Sequence, residues 1–244
     1  AFELEYKMFS DFRNYSKEFV TLIRQTAECI SELDVFTSFA EIAVEQNYVC
    51  PELDESGNFF IKNGRHPVLE KILPLGTYVA NDIELSSSDK SKTEFMILTG
   101  PNMAGKSTYM RQNALIAILA QIGSFIPADC GKIGIIDKIF TRVGASDDLT
   151  LGKSTFMVEM TETAYILNSA TDKSLILIDE IGRGTSTYDG VAIAWSVAEY
   201  IAGKIGARCI FATHYHELNV MTNSYPQIKN YRITVSEENG EIEF

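Results

Sequence analysis

The chain has 244 residues, of which 45% are hydrophobic and 22% charged, and it carries a formal net charge of −12. This length and apolar content suffice for one substantial core, with some chain left for an accessory segment. The negative charge argues against broad contact with a nucleic-acid backbone, because such contact is built largely from Lys and Arg.

The cysteines and the hydropathy pattern exclude several other classes of protein. The four cysteines are scattered and never fall as C-x-x-C, so they predict neither a zinc ribbon nor a disulfide framework; they are Cys29, Cys50, Cys130 and Cys209. We interpret them as ordinary thiols of a reducing cytosol. No window reaches the roughly 18 uninterrupted apolar residues of a membrane span, and residues 1–10 lack a signal pattern. The sequence therefore predicts a soluble protein that is not secreted.

The first segment of the chain is predicted to be helical. Residues 3–45 contain neither Gly nor Pro and carry apolar residues at helical spacing. They predict one long helix or two shorter ones, packed on neighbouring structure. Breaker residues around Pro51 and Gly57 place a boundary near residues 48–58. We therefore expect a helical segment over residues 1–50 and a second domain over residues 51–244.

The second domain is predicted to alternate strands with helices. Short strand-like runs come first, at residues 59–62, 78–80 and 83–85. Buried strands are then expected at residues 94–99, 139–143, 174–179 and 208–213, and helices at 108–122, 155–168 and 190–205. Such alternation is typical of an α/β fold with a mostly parallel sheet covered on both faces. The tail predicts an antiparallel hairpin, in which residues 229–235 pair with residues 241–244.

The segment between the first buried strand and the next helix fits the phosphate-loop pattern G-x-x-x-x-G-K-[ST] in full. It reads Gly100-Pro101-Asn102-Met103-Ala104-Gly105-Lys106-Ser107. Its glycines let backbone N–H groups wrap an anion, and the N-terminus of the following helix adds a favourable dipole. Lys106 is expected to pair with the β- and γ-phosphates and Ser107 to ligate Mg²⁺. We therefore interpret the segment as a nucleotide-binding loop rather than an ordinary strand–helix turn.

A pair of carboxylates follows another buried strand. Asp179 comes at the carboxyl end of the apolar run 175–178, which is where ligands bind in open α/β sheets. It is the candidate partner of the Mg²⁺, and the adjacent Glu180 can orient or deprotonate an attacking water. Such a pair alone could be a solvated strand end. Together with the phosphate loop, it favours a Mg²⁺-dependent ATPase.

Two further features restrict the kind of site. The apolar run at residues 211–213 ends at His214, which would lie near the same sheet edge and could sense a γ-phosphate. A single histidine at a strand end is usually structural, so this role depends on its neighbours. The Gly-rich run at residues 182–187 directly follows the carboxylates, and by itself it could be an ordinary loop.

Five segments together resemble the bacterial branch of the MutS family of DNA mismatch repair proteins. Three are similar to its ATPase motifs: TGPNMAGKSTYMR at residues 99–111, DEIGRGTSTYDG at 179–190 and FATHYHEL at 211–218. GKSTFMVEM at residues 152–160 resembles the family's signature segment, and GRHPVL at 64–69 resembles a strand region where its ATPase domain begins. The similarity covers nearly the whole chain, including residues 3–51, which resemble the helices leading into that domain.

The resemblance implies a P-loop NTPase fold related to the ATPase domains of ABC proteins, acting on ATP or ADP with Mg²⁺. It also implies a homodimer in which the signature segment of the partner completes each site. Ser154, at the start of the helix 155–168, would then face the γ-phosphate of the opposite subunit. Tyr78 stands where the family has an aromatic residue against the adenine. From the residues alone, Tyr78 would be a core residue and Ser154 a plain helix cap.

The site residues that the resemblance and the motifs imply fall into three sets. The catalytic set is Glu180, His214, Lys106 and Ser154. The metal ligands are Ser107 and Asp179. The nucleotide-binding set is Gly100, Pro101, Asn102, Met103, Ala104, Gly105, Lys106, Ser107, Thr108 and Tyr78.

The resemblance also implies partners and a cellular role. In the full-length protein, ATP hydrolysis would couple to dimer and DNA-clamp conformation, with mismatched DNA and a MutL-type protein as partners, in the bacterial cytoplasm near the nucleoid. The mismatch-reading, connector and clamp regions of the family precede the segments matched here, so little direct DNA binding is expected of this chain. A helical element that supports dimerisation follows the matched segments in the family, so we expect a weakened dimer.

Two alternatives remain open. Transporter and chromosome-maintenance ATPases carry an L-S-G-G-Q signature, and guanine-nucleotide switches usually carry N-K-x-D; neither pattern occurs in the sequence. The first alternative, a different P-loop enzyme, therefore lacks its motifs. The second is a nucleotide-gated interaction module that hardly turns over, in which Glu180 would have no purpose.

Overall fold

The computed structural model describes residues 2–74, 77–88, 92–101, 104–143, 155–234, 236–238 and 241–243. The chain divides into two compact units, Ala1–Asn47 and Tyr48–Phe244. The first unit is helical and the second is a mixed α/β structure. No helix among the described residues is long and apolar enough to cross a membrane.

The first unit consists of two helices, α1 (Phe2–Lys17) and α2 (Val20–Glu45). The helical pattern of residues 3–45 thus forms two elements, separated by a turn at residues 18 and 19. Glu3 and Glu5 lie in the first turn of α1 and Lys17 in its last turn, which suits the helix dipole. Most side chains of both helices are exposed, and of the two helices only α2 buries a residue, Ala43.

A four-stranded sheet begins the second unit. Its strands, in the order β1-β5-β2-β3, are β1 (Glu52–Asp54), β5 (Cys130–Gly134), β2 (Asn58–Gly64) and β3 (Asn81–Ser86). β1 and β5 pair in parallel, and the other pairs are antiparallel. A short helix, α3 (Leu69–Ile72), lies between β2 and β3 in the chain.

The strand predicted at residues 78–80 is wrong, since β3 begins only at Asn81. The side-chain amide of Asn81 donates to the carbonyl of Val79 at 2.8 Å. In a strand, the carbonyl of Val79 would accept from a neighbouring strand, but here it accepts from the Asn81 side chain. Asn side chains often compete in this way with the backbone bonds of regular structure.

The central sheet of the second unit has five parallel strands. In the order β6-β7-β8-β4-β9 they are β6 (Ile139–Arg142), β7 (Leu175–Asp179), β8 (Arg208–Ala212), β4 (Phe95–Thr99) and β9 (Ile228–Arg232). β4, β7 and β8 are buried at every position. Continuous apolar runs of this kind are what a parallel sheet covered on both faces requires.

The hairpin predicted for the tail is partly wrong. β9 joins the central sheet parallel to β4, with Phe95 opposite Ile228 and Thr99 opposite Arg232. Only the short strands β10 (Ser236–Glu238) and β11 (Glu241–Glu243) form an antiparallel pair. Without β9, the edge of β4 would have a row of unpaired backbone N–H and C=O groups. The turn pattern at residues 238–240 does not reveal that residues 228–232 pair with this edge.

Helices cover both faces of the central sheet. They are α4 (Lys106–Gln121), α5 (Thr155–Ser169) and α6 (Thr187–Tyr200), the last continuing as a π-helical turn, Ile201–Ile205. A 3₁₀ helix, His216–Asn223, follows β8. Alternate residues of the strands divide between two cores: α4 and the small sheet share one, and α5 and α6 share the other. α6 begins three residues before the predicted helix, because Ser186 caps its N-terminus by accepting from the amide of Asp189 at 3.3 Å.

Arg208, the first residue of β8, joins the two sheets and is fully buried. Its guanidinium donates to the carbonyls of Gly134 and Ile135, at 3.2 Å each, and to that of Asn58 at 3.4 Å. A further bond goes to the carbonyl of Lys173. Burial lowers the pKa of Arg208 to about 10, so the guanidinium keeps its charge at neutral pH.

We expect R208A to lower the free energy of unfolding by about 3 kcal/mol or more, because hydrogen bonds to a charged donor contribute about 1.5–3 kcal/mol each. Urea unfolding followed by circular dichroism measures the change. The control is R24A, at an exposed position of α2, which should stay within about 0.5 kcal/mol of the unaltered chain. Equal stability of the two variants would contradict the role of Arg208.

Candidate active site

Three neighbouring strands of the central sheet end at the same edge. β7, β8 and β4 are adjacent and parallel, so their carboxyl ends lie side by side. The segment of residues 100–107, hereafter the 100–107 loop, follows β4 and ends in the first turn of α4. Asp179 ends β7, and His214 comes two residues after β8. Parallel pairing therefore brings together three segments that are far apart in the sequence.

The 100–107 loop leads into α4 through a left-handed turn. Gly105 has φ +90°, and a Cβ atom at this residue would have no neighbour within 4 Å, so the space beside the backbone is open. Lys106 is buried, and its ammonium donates to the carbonyls of Gly100 at 2.8 Å and Pro101 at 3.0 Å. Burial lowers the pKa of Lys106, while the charge of Asp179 opposes that shift. The loop thus holds a poorly solvated cation beside an open backbone turn, which suits a phosphate.

Ser107 and Asp179 are in direct contact. The hydroxyl of Ser107, in the first turn of α4, donates to Oδ2 of Asp179 at the end of β7. Asp179 is buried and Ser107 is half-buried. A hydroxyl and a carboxylate held together in this way are oxygen donors of the kind that Mg²⁺ prefers. The residues present therefore fit a divalent cation.

The carboxylate of Glu180 is held on both sides. Its Oε1 contacts Nε2 of His214, and its Oε2 pairs with Arg183. Glu180 has φ +57°, in the left-handed region, and its amide donates to the carbonyl of Ala212 at 3.0 Å. Burial lowers the pKa of His214, and the charges of Lys106 and Arg183 lower it further. The imidazole is therefore neutral at neutral pH, and it can donate to Glu180 when Nε2 carries its proton.

A cavity of about 440 Å³ opens between the sheet edge and α5. Its polar lining includes Ser107, Arg111, Arg142, Asp179, Glu180 and Arg183. The volume falls within the range of small-molecule pockets. The three arginines were not among the predicted site residues, although Arg111 and Arg183 lie inside the segments 99–111 and 179–190. Their position inside these motifs was the sequence signal that could have identified Arg111 and Arg183, because arginine is well suited to bind phosphate oxygens.

Tyr78 is tied to the helix that follows the 100–107 loop. Its hydroxyl donates to Oε1 of Gln112 at 2.5 Å, and Gln112 is fully buried on α4. Burial raises the pKa of Tyr78 to about 12. Since Tyr78 is only half-buried, part of the residue remains accessible while its hydroxyl is anchored.

The remaining predicted site residues that the structure describes differ in their solvent exposure. Ala104 is buried, Thr108 is half-buried and Pro101 is exposed. Asn102, Met103 and Ser154 lie outside the described residues.

Comparison with known proteins places these features in a family. A family model described as MutS domain V matches residues 96–244. The chain is 54% identical over 244 residues to the DNA mismatch repair protein MutS of Caldicellulosiruptor bescii, covering 99% of the chain and 28% of that protein. It is 55% identical over 242 residues to the protein of the same name from Acetivibrio thermocellus, covering 99% of the chain and 28% of that protein.

A third relative extends the same pattern. The DNA mismatch repair protein MutS of Flavobacterium johnsoniae is 54% identical over 237 residues, which cover 96% of the chain and 27% of that protein. The chain thus spans less than a third of the length of the curated relatives it matches.

We expect Y78F to lower the free energy of unfolding by about 1–3 kcal/mol, because it leaves the buried Oε1 of Gln112 without its donor. Thermal or urea unfolding measures the change. Y188F removes the same hydroxyl at a side chain that is 90% exposed, and it should change stability by less than about 0.5 kcal/mol. An unaltered stability of Y78F would show that the contact with Gln112 contributes nothing to the fold.

Proposed function

The chain belongs to the MutS family, and on that premise we propose that its second unit is a P-loop NTPase domain, related to those of ABC proteins, that hydrolyses ATP with Mg²⁺. One observation carries the proposal: the adjacent ends of β4, β7 and β8 bring Lys106, the Ser107–Asp179 pair and the Glu180–His214 pair to one sheet edge. Each group has the chemistry that one part of the reaction needs.

The 100–107 loop and Lys106 would bind the phosphates of ATP. Phosphate oxygens would replace the carbonyls of Gly100 and Pro101 as acceptors of the Lys106 ammonium. Burial of this ammonium favours the exchange, because an ionic hydrogen bond is stronger where water is excluded. Tyr78 would contact the adenine with its accessible face, while its hydrogen bond to Gln112 keeps the ring at a fixed position relative to α4.

Ser107 and Asp179 would hold the Mg²⁺. When bound, the ion would neutralise part of the negative charge of the phosphates. Asp179 sits at the end of a fully buried strand, so its carboxylate is supported by the sheet rather than by a flexible loop. Such support keeps the ligand geometry constant while the nucleotide changes.

Glu180 would orient the attacking water and accept its proton. The water oxygen forms a bond to the terminal phosphorus, the bond from that phosphorus to the bridging oxygen breaks, and ADP leaves. His214 would lie close enough to sense the terminal phosphate. Arg183 and His214 each contact one oxygen of Glu180, and a water would bind through the lone pairs that remain on these oxygens.

The two contacts of the Glu180 carboxylate favour a second candidate function. A carboxylate held on both sides is also suited to a nucleotide-binding module with little turnover, in which Glu180 serves as a structural anion. The two functions differ in one measurable property, the rate of phosphate release per bound ATP.

We also propose a place for this chain in a larger cycle. The relatives are DNA mismatch repair proteins, and we propose that the nucleotide state of this domain sets the conformation of a homodimer on mismatched DNA, in the bacterial cytoplasm, with a MutL-type partner. Ser154 would complete the site of the partner subunit. The formal charge of −12 indicates that other parts of such a protein hold the DNA.

We expect E180Q to lower kcat for ATP hydrolysis by about 100-fold or more, because it removes the proton acceptor. The affinity for ATP should change little, since the phosphate contacts remain. Steady-state phosphate release and calorimetric ATP binding measure the two quantities. E217Q is the control, since Glu217 is exposed and lies near the same sheet edge. If the unaltered chain binds ATP but its turnover is negligible and E180Q does not change it, the second candidate function holds.

We expect D179N to raise the Mg²⁺ concentration that gives half-maximal turnover by about tenfold or more, because a carboxylate that supports the ion is neutralised. Turnover at several Mg²⁺ concentrations, with EDTA as the zero point, measures the shift. D11N, at an exposed position of α1, should leave the Mg²⁺ dependence unchanged. A Mg²⁺ dependence of D179N equal to that of the unaltered chain would remove Asp179 from the metal site.

A further inference from the structure

The peptide of Gly182 is held from two sides by side chains of other elements. Glu159, which is buried on α5, accepts the amide proton of Gly182, with 2.5 Å between Oε1 and the nitrogen. The carbonyl of Gly182 accepts from the hydroxyl of Tyr215 at 3.1 Å. Gly182 follows β7, Glu159 lies in α5 and Tyr215 follows β8. Three elements of the unit therefore meet at one peptide.

Two glycines of residues 180–184, hereafter the 180–184 loop, pack closely against neighbouring helices. Gly182 has φ +88°, and a Cβ atom there would lie 2.7 Å from the Cα of Gly190 in α6. A Cβ atom at Gly184 would lie 2.8 Å from the Cβ of Phe156, in the first turn of α5. The backbone of the loop is thus in direct contact with α5 and α6, and a shift of α5 has to displace it.

Glu159 is a costly choice for a purely structural position. It is 4% exposed, and no described Lys, Arg or His forms an ion pair with it. Burial of a carboxylate is unfavourable unless polar partners compensate for the lost water. Glu159 also lines the cavity that Glu180 and Arg183 line, so its hydrogen bond to Gly182 ties the 180–184 loop to a wall of the candidate site.

The 180–184 loop carries the group that would act on water. Glu180 is two residues before Gly182, and its carboxylate pairs with Arg183, the residue just after Gly182. Ile181, between them, is buried. The direction of the Glu180 side chain therefore depends on where the Gly182 peptide is held. A misplacement of about 1 Å at a reacting group can cost about 100-fold in rate.

We propose that Glu159 is a positioning residue of the hydrolytic site. It holds the amide side of the Gly182 peptide, while Tyr215 holds the carbonyl side. Glu180 is thereby kept at a fixed position relative to α5. This rests on the proposed function, since it concerns the same Glu180. α5 begins at Thr155, so a force on the start of this helix reaches the 180–184 loop through the Glu159–Gly182 hydrogen bond and through the contact of Phe156 with Gly184. The coupling acts on the rate of hydrolysis rather than on nucleotide affinity, because Glu159 and Tyr215 hydrogen-bond the Gly182 peptide, whereas the Lys106 ammonium bonds the carbonyls of Gly100 and Pro101.

The test compares E159A with E159Q in the unaltered length of the chain. E159A should lower kcat by about 10-fold to 100-fold, with the dissociation constant of ATP changed by less than about twofold. E159Q should keep kcat within about threefold, because its amide oxygen still accepts from Gly182. Y215F should lower kcat by a few-fold, and T161A, at an exposed position of the same helix, should leave it unchanged. Equal rates for E159A and the unaltered chain, or equal losses for E159A and E159Q, would overturn the proposal.

Hydrogen exchange of the Gly182 amide provides a readout that does not require hydrolysis. The amide should exchange faster in E159A than in E159Q, while the amides of β7 and β8 keep their protection. If E159A does not fold, E159Q and Y215F carry the test through kcat and exchange. Absence of ATP turnover in the unaltered chain would refute the proposed function, whereas unchanged exchange in E159A would refute the Glu159 contact by itself.

Discussion

Parallel hydrogen bonding between three buried strands is the constraint on which the rest of the second unit depends. β7, β8 and β4 are neighbours in the sheet, although the 100–107 loop, Asp179 and His214 are distant in the chain. Each strand is apolar at almost every position because both of its faces are covered. The sheet therefore has a rigid apolar body, and the candidate site residues lie together at the edge formed by the carboxyl ends of these strands.

The charges at this edge are held in contacts among themselves. Lys106 binds its own loop, Ser107 binds Asp179, and Glu180 lies between Arg183 and His214. These contacts satisfy groups that burial would otherwise penalise, as the lowered pKa values of Lys106 and His214 indicate. A phosphate or a cation that binds at this edge would replace contacts of similar kind.

Several parts of the fold could be predicted because they depend on local pattern. The apolar runs that became β4, β7 and β8 and the Gly-Lys-Ser sequence at the start of α4 are readable from neighbouring residues alone. β1, β5 and the pairing of β9 with β4 were not predicted, since short strands of mixed polarity, such as Cys130–Gly134, are defined by the strands they pair with. Residues 78–80 were wrongly predicted as a strand, because the side chain of Asn81 donates to the carbonyl of Val79, which a strand would use in pairing.

The sequence by itself determined the type of fold, the family, and most of the candidate site residues, because motif spacing and hydrophobic period are properties of the chain. Only the tertiary structure decided which side chains meet. It paired Ser107 with Asp179, placed Arg183 on Glu180, and brought Glu159 and Tyr215 to opposite sides of Gly182. The physical reason is that such contacts join residues from separate elements, and their geometry follows from the sheet order and the packing of α5, neither of which a linear pattern contains.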